Sequence, residues 1–197
     1  MRFLPYLFGA LALVPAAAFA QETGVDTTDA VAIVASHWPL ALACLGAAIA
    51  TALPCWGSAM GVSMVGQAGS GLLTEKPELA GKVITLSVLP GSQGLYGMVI
   101  SLLFLFSFGL PILDGTAVLS GVQGIAVFAA FLPVAITCLI SAPYQAKVCA
   151  AGMHMLARDG RLAGRVITLA ALVETYALLG FLISFFMLNA LKAGILS

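Results

Sequence analysis

Along the chain, long apolar runs alternate with short polar stretches, and residues 38–73, 83–110, 121–156 and 166–191 are almost continuously apolar. A helix rising about 1.5 Å per residue needs about 20 residues to cross about 30 Å of hydrocarbon. Each run is long enough. In lipid, every backbone N–H and C=O must be satisfied inside the protein, which a helix achieves within its own segment. The pattern therefore predicts an all-α membrane protein with four transmembrane helices. A fifth, shorter apolar run from Phe3 to Val14 follows Arg2 and precedes Ala18-Phe19-Ala20. It is too short to span, and a basic start, an apolar centre and small residues before Gln21 form a signal-peptide pattern. We read residues 1–20 as a cleaved signal peptide, with an uncleaved extra helix as the alternative. Residues 21–37 then form a short, mobile extracytoplasmic segment, 38–110 a first helical hairpin and 121–197 a second.

Composition agrees with lipid as the solvent, since 61% of residues are hydrophobic and 8% charged. Eight basic residues balance eight acidic ones, so nothing points to nucleic acid or an acidic substrate. The placement of the charges carries more information. Lys76, Lys82, Arg158, Arg161 and Arg165 lie in or beside the first and third connections, whereas Asp114 is the charge of the second. By the positive-inside rule the first and third connections are cytoplasmic, and both mature termini are extracytoplasmic. An exported N-terminus requires the same topology. Lys147, His37 and His154 lie close enough to the membrane boundaries to be explained by snorkelling or interface placement.

The chain also repeats itself. Gly81-Lys82-Val83-Ile84-Thr85-Leu86 returns as Gly164-Arg165-Val166-Ile167-Thr168-Leu169, an offset of 83 that also relates Cys55 to Cys138, Leu89 to Leu172, Gly97 to Gly180 and Ser101 to Ser184. Each unit has two helices, so the copies share one membrane orientation and form tandem parallel repeats, unlike the inverted repeats of many transporters. The first helix is rich in small residues, with Gly57, Ser58, Ala59, Gly61, Gly66, Gly69 and Gly71. Small faces permit close helix approach, and a four-helix chain has little interior to hide so much glycine. We expect that glycine to pack between subunits. Cys44, Cys55, Cys138 and Cys149 show no metal-ligand spacing and are expected to be free, buried thiols.

One position breaks the repeat in a way that matters for chemistry: Glu174 stands where the first copy has Gly91. Glu174 is about 12 Å along its helix from Val166, too deep to snorkel into water. An ionised carboxylate there costs at least a few kcal/mol, so it must find a cation, take up a proton or face a wet cavity. Partners exist at matching depth. In Leu89-Pro90-Gly91-Ser92-Gln93-Gly94-Leu95-Tyr96, Pro90 lacks the N–H that a regular helix needs, and Gly91 and Gly94 weaken it further. Ser92 and Gln93 supply side-chain oxygens beside freed backbone carbonyls, and Gln145, after Pro143, supplies another. A proline break, two glutamines, a hydroxyl and one acid at compatible depths favour an ion site.

Leu89-Pro90-Gly91-Ser92-Gln93-Gly94-Leu95-Tyr96-Gly97 and Val173-Glu174-Thr175-Tyr176-Ala177-Leu178-Leu179-Gly180 resemble the two signature segments of subunit K. Subunit K is the duplicated proteolipid of prokaryotic V-type (A/V-type) rotary ATPases, and the resemblance covers nearly the whole chain after residue 20. It implies a homo-oligomeric rotor ring, with the first helix of each hairpin inside and the second outside, and one cation per chain. In the sodium-pumping members the resemblance assigns the ion to the Leu89 carbonyl, the Ser92 hydroxyl, the Gln93 and Gln145 amide oxygens and the Glu174 carboxylate. Tyr96 supports the carboxylate, and Pro90 and Gly91 shape the break. Ser92 departs from the usual threonine, keeping the hydroxyl but losing a methyl that stiffens the side chain. The leader is a second departure.

The resemblance further implies a bacterial inner-membrane location, a separate stator subunit with a buried arginine, and central-stalk subunits at the cytoplasmic loops. It implies no catalysis by this chain, no cofactor and no nucleic acid; the sequence holds no GxxxxGK[ST] phosphate loop. The transported ion is expected to be Na+, because several neutral oxygens are more than a proton needs; a proton-carrying rotor is the alternative. A small secondary cation carrier or channel, or a purely structural membrane subunit, are the readings outside this class.

Overall fold

The computed structural model describes residues 27–113 and 118–195, with side chains at 37–112 and 118–195. The signal peptide read in residues 1–20 lies outside the described residues. Four helices are long and apolar enough to cross a membrane. They are α1 (Thr27–Glu75), and α2 (Pro77–Ile112), α3 (Gly121–Arg158) and α4 (Gly160–Ile195). Among the described residues there is no strand.

The helices are longer than the apolar runs that announced them. α1 begins at Thr27, not at residue 38, and continues to Glu75. The polar stretches expected as loops are mostly helix ends, joined at Lys76 and Asp159. Hydropathy measures the thickness of the hydrocarbon, whereas the backbone hydrogen-bond ladder continues past it until a cap stops it. The caps are visible. Asp159 accepts from the backbone N–H of Arg161 (2.9 Å) and pairs with its guanidinium (3.0 Å). Ser120 and Gln123 form a reciprocal capping box at the start of α3. Lys76 donates from Nζ to the Ala157 carbonyl at the end of α3, tying the first connection to the third.

Packing follows the duplication. α1 and α3 share the most extensive contact; α2 lies against α1, and α4 against α3. Gly69 leaves no room for a Cβ because Val83 fills the space, and the same is true of Gly152 against Val166, each pair 83 residues on from the other. Likewise Gly97 is pressed on the Ala50 carbonyl, and Gly180 on Thr137 and the Pro133 carbonyl. The prolines inside α1 and α3 are tolerated where neighbours take up the disturbed backbone. Beside Pro133, for example, the Val134 N–H donates to Ser184 Oγ at 3.0 Å.

Two expectations need correcting. Gly57 and Gly61 are spent inside the chain: a Cβ on Gly57 would meet the Leu139 carbonyl oxygen at 2.7 Å, and one on Gly61 the Ala142 carbonyl oxygen at 3.0 Å. The four-helix chain does have a close internal seam, between α1 and α3, that the apolar pattern could not separate from a seam between subunits. Gly66 and Gly71, by contrast, have nothing within 4 Å. Of the four free cysteines, Cys138 and Cys149 are buried but Cys44 and Cys55 are exposed, because α1 turns that face away from α3.

Two apolar clusters fill the interior. One contains Ile100, Phe104, Phe131, Val134 and Ala177; the other contains Val65, Leu86, Cys149, Met153 and Val166. The polar residues singled out in the sequence lie between them.

Candidate functional site

The site is built where α2 changes pitch. Ala80–Val88 is α-helical, Leu89–Gly91 forms a 3-10 turn, and Ser92–Phe104 resumes the α-helix. The irregularity expected around Pro90 is therefore present. Pro90 is buried and closes against Gly61, whose Cβ would come within 2.7 Å of the proline Cβ. The tight turn leaves the Leu89 carbonyl receiving both the backbone N–H of Ser92 and the Ser92 hydroxyl at 3.0 Å.

Around this turn the structure brings the predicted residues together. Glu174, half-buried on α4, accepts at Oε1 from Tyr96 Oη (2.6 Å) and Ser92 Oγ (2.7 Å). Its Oε2 receives Gln145 Nε2 at 3.4 Å. Gln145 Oε1 in turn accepts from Gln93 Nε2 at 2.7 Å, and both glutamines are fully buried. The three contacts to Glu174 come from α2 and α3, so the carboxylate closes a site that no single hairpin contains. Tyr96 is held in place by Phe181 of α4, with ring centroids 5.7 Å apart.

Two features decide what this arrangement can do. Every polar neighbour of Glu174 can present a donor to a carboxylate, and the Ser92 and Tyr96 hydroxyls can equally accept from a carboxylic acid. In addition, Ser92 Oγ lies within 3.5 Å of three other oxygens, Leu89 O, Gln93 Oε1 and Glu174 Oε1. One hydroxyl proton cannot serve three acceptors. The hydroxyl is divided between the Leu89 carbonyl of its own helix, as Thr175 is bonded to Leu172, and the carboxylate of α4.

Sequence reasoning missed two supports. Ser58 is buried and accepts the Gly94 N–H at 2.8 Å, holding the segment after the break against α1. Its place beside Gly57 hid it among packing residues. The Ala170 carbonyl accepts from Gln145 Nε2 at 3.2 Å, and a backbone acceptor has no signature in sequence. Gly91 itself contributes space, facing Val62 of α1 at 3.7 Å from where its Cβ would stand.

The repeat does not supply a second set of these side chains, and the related positions are divided between the two hairpins. Shifted by 83, Gln145 corresponds to Val62, Glu174 to Gly91, Gln93 to Tyr176 and Tyr96 to Leu179. Only the hydroxyl is kept: Thr175 donates to the Leu172 carbonyl at 2.7 Å, as Ser92 does to Leu89.

Comparison with known proteins places these features in context. The family model of the ATP synthase C subunit matches the chain twice, over residues 45–104 and 128–187. Both ends of the second match stand 83 residues after those of the first, the step of the internal repeat. The V-type sodium ATPase subunit K of Enterococcus hirae is 43% identical over 159 residues, covering 80% of this chain and 97% of that protein. The A-type ATP synthase subunit K of Methanocaldococcus jannaschii is 33% identical over 156 residues, covering 79% of this chain and 66% of that protein.

Proposed function

Since the chain belongs to the ATP synthase C-subunit family, with the K subunits of V-type and A-type ATPases as relatives, we propose that it is a rotor-ring subunit that carries one Na+ at Glu174. It is a multi-pass membrane subunit and is not itself catalytic. The observation that carries the sodium reading is that Leu89 O, Gln93 Oε1 and Glu174 Oε1 all lie within 3.5 Å of Ser92 Oγ. Three neutral oxygens replace part of the hydration shell, and the carboxylate balances the charge. Gln145 becomes a further ligand when the second lone pair of its Oε1, which already accepts from Gln93 Nε2, is turned to the ion while Nε2 stays on the Ala170 carbonyl.

The name of one relative supports the same ion: subunit K of Enterococcus hirae belongs to a sodium ATPase. In the cycle that follows, Glu174 travels past lipid only while its charge is neutralised, because a bare carboxylate there costs at least a few kcal/mol. A stator subunit bearing a buried arginine displaces the ion. Tyr96 and Ser92 then hold the unloaded carboxylate until the next ion enters. Central-stalk subunits at the cytoplasmic connections couple the ring to ATP chemistry on partners. Each charge moved against 100 mV takes about 2.3 kcal/mol, and one acid per pair of hairpins keeps the number of charges per turn low. We place the ring in a bacterial inner membrane with both mature termini outside.

Carbodiimide labelling of the purified ring, read at Glu174 by mass spectrometry across pH with and without Na+, tests this. Protection by Na+ at fixed pH is the expected result. Labelling that follows pH and ignores Na+ would make the same ring a proton carrier, and Glu174→Gln is expected to abolish labelling at that position in either case.

A further inference from the structure

The second hairpin carries a groove of about 440 Å³ between α3 and α4, lined by Ile136, Ile140, Ser141, Tyr144, Val173 and Tyr176. Moved back by 83, these positions are Leu53, Gly57, Ser58, Gly61, Pro90 and Gln93. That is the part of the first hairpin on which the second hairpin sits, since Gly57 and Gly61 abut the Leu139 and Ala142 carbonyls of α3. The groove is thus the repeat's copy of an internal seam, left open on the outside of the chain.

The same operation identifies what fits it. Leu139 and Ala142, whose backbone covers Gly57 and Gly61, and Gln145, whose side chain meets Gln93, correspond to Trp56, Ala59 and Val62 on α1. Trp56 is 62% exposed and Val62 37% exposed, on the side of α1 away from α3. The groove side has gained bulk, with Ile140 for Gly57 and Tyr144 for Gly61, so the two helices must stand further apart than α1 and α3 do. On the facing side an indole stands in the position of Leu139, and it is long enough to reach into the space that the wider helix separation leaves.

We infer that Trp56 of a second copy of this chain seats in the groove between Tyr144 and Tyr176, sealing the chain-to-chain boundary where the repeat has lost its ion site. At that boundary Val62 stands for Gln145, Gly91 for Glu174 and Tyr176 for Gln93. The carboxylate and both glutamine amides are gone, although the Thr175 hydroxyl remains on the Leu172 carbonyl, and an aromatic plug takes the volume of the lost side chains. The contact is heterologous, one face of the chain against its other face, which is the kind of contact a closed ring of copies requires. Ions are then confined to the boundary inside each chain, and no leak path opens between chains. This inference rests on the ring reading above and adds to it the identity of the seam.

The test places the photo-crosslinker p-benzoylphenylalanine at position 56 (Trp56→benzoylphenylalanine) in the full chain, with a mixture of isotopically heavy and light copies. Adducts between heavy and light chains at Tyr144, Tyr176 or their groove neighbours are expected. Native mass spectrometry of the unsubstituted protein is read alongside. An intact ring whose position-56 adducts are confined to lipid or to another face overturns the inference and leaves the ring standing. A monomeric unsubstituted protein overturns the ring reading as well. Should the substituted chain not assemble, the pair Trp56→Cys with Ile140→Cys, oxidised in native membranes, reads the same contact. A ladder of dimers and higher species that neither single variant forms supports it, and no ladder from an assembled ring overturns it.

Discussion

At the scale of single residues, Glu174 and the four side chains Ser92, Gln93, Tyr96 and Gln145 were legible because each is polar at a depth where polarity is expensive. Their division of labour was not. Tyr96 makes the shortest contact to Glu174, at 2.6 Å, and a hydrogen bond to a charged group contributes about 1.5–3 kcal/mol. Where the bond also orients the carboxylate in the loaded site, Tyr96→Phe raises the Na+ concentration for half-protection of Glu174 from carbodiimide. A lowered half-protection point would show that the bond belongs to the empty site. Ser92 offers a cleaner comparison, because Ser92→Thr keeps the hydroxyl while Ser92→Ala deletes it. Sodium protection is expected to survive in the first and to weaken strongly in the second, as read by the same titration. Ser58 and the Ala170 carbonyl were not legible, one because a small polar residue among glycines looks like packing, the other because backbone atoms are common to all residues.

At the scale of elements, the four helices and their duplication followed from hydropathy and an offset of 83, but their ends did not. Polar residues at the cytoplasmic ends mark where hydrocarbon stops, and Asp159 marks where the helix begins again. Its carboxyl is held below the ordinary carboxylate range, chiefly by the hydrogen bond from the Arg161 side chain and then by the Arg161 backbone N–H. A lowered folded value stabilises the turn above the unfolded pKa and ceases to do so as pH falls through the folded one. Asp159→Asn is accordingly expected to speed hydrogen exchange in residues 159–163 at pH 6, with the difference shrinking as pH is taken down through and below the ordinary carboxylate range; an effect that does not shrink with acid would deny the carboxylate its role. The glycines separate into two groups that sequence alone does not distinguish. Gly152→Ala presses a methyl onto Val166 and is expected to destabilise by about 1–3 kcal/mol as overpacking does. Gly81→Ala, with nothing within 4 Å, is expected to be neutral or to stabilise by up to about 1 kcal/mol. Thermal unfolding in one detergent, side by side, checks both.

At the scale of the whole molecule, one acid for two hairpins means one ion for each chain. Purified rings are expected to bind Na+ and to take up carbodiimide in a ratio of one per chain, and a Na+ ratio near two would show that the acid-free counterpart also binds. Much of the chain's apolar surface is exposed, including Trp56, Leu95, Leu172 and Phe186, and it awaits lipid or another copy. The chain by itself determined its solvent, its four crossings, its repeat and the residue types of its site, because these depend on local composition and on periodicity along one dimension. Tertiary structure alone decided which glycines face α3 and which face outward, and that the carboxylate of α4 is completed by α2 and α3. It also decided that the counterpart seam lies open on the outside. These depend on the rotation of each helix about its axis, which is set by side chains meeting across the bundle from positions 29 to 82 residues apart.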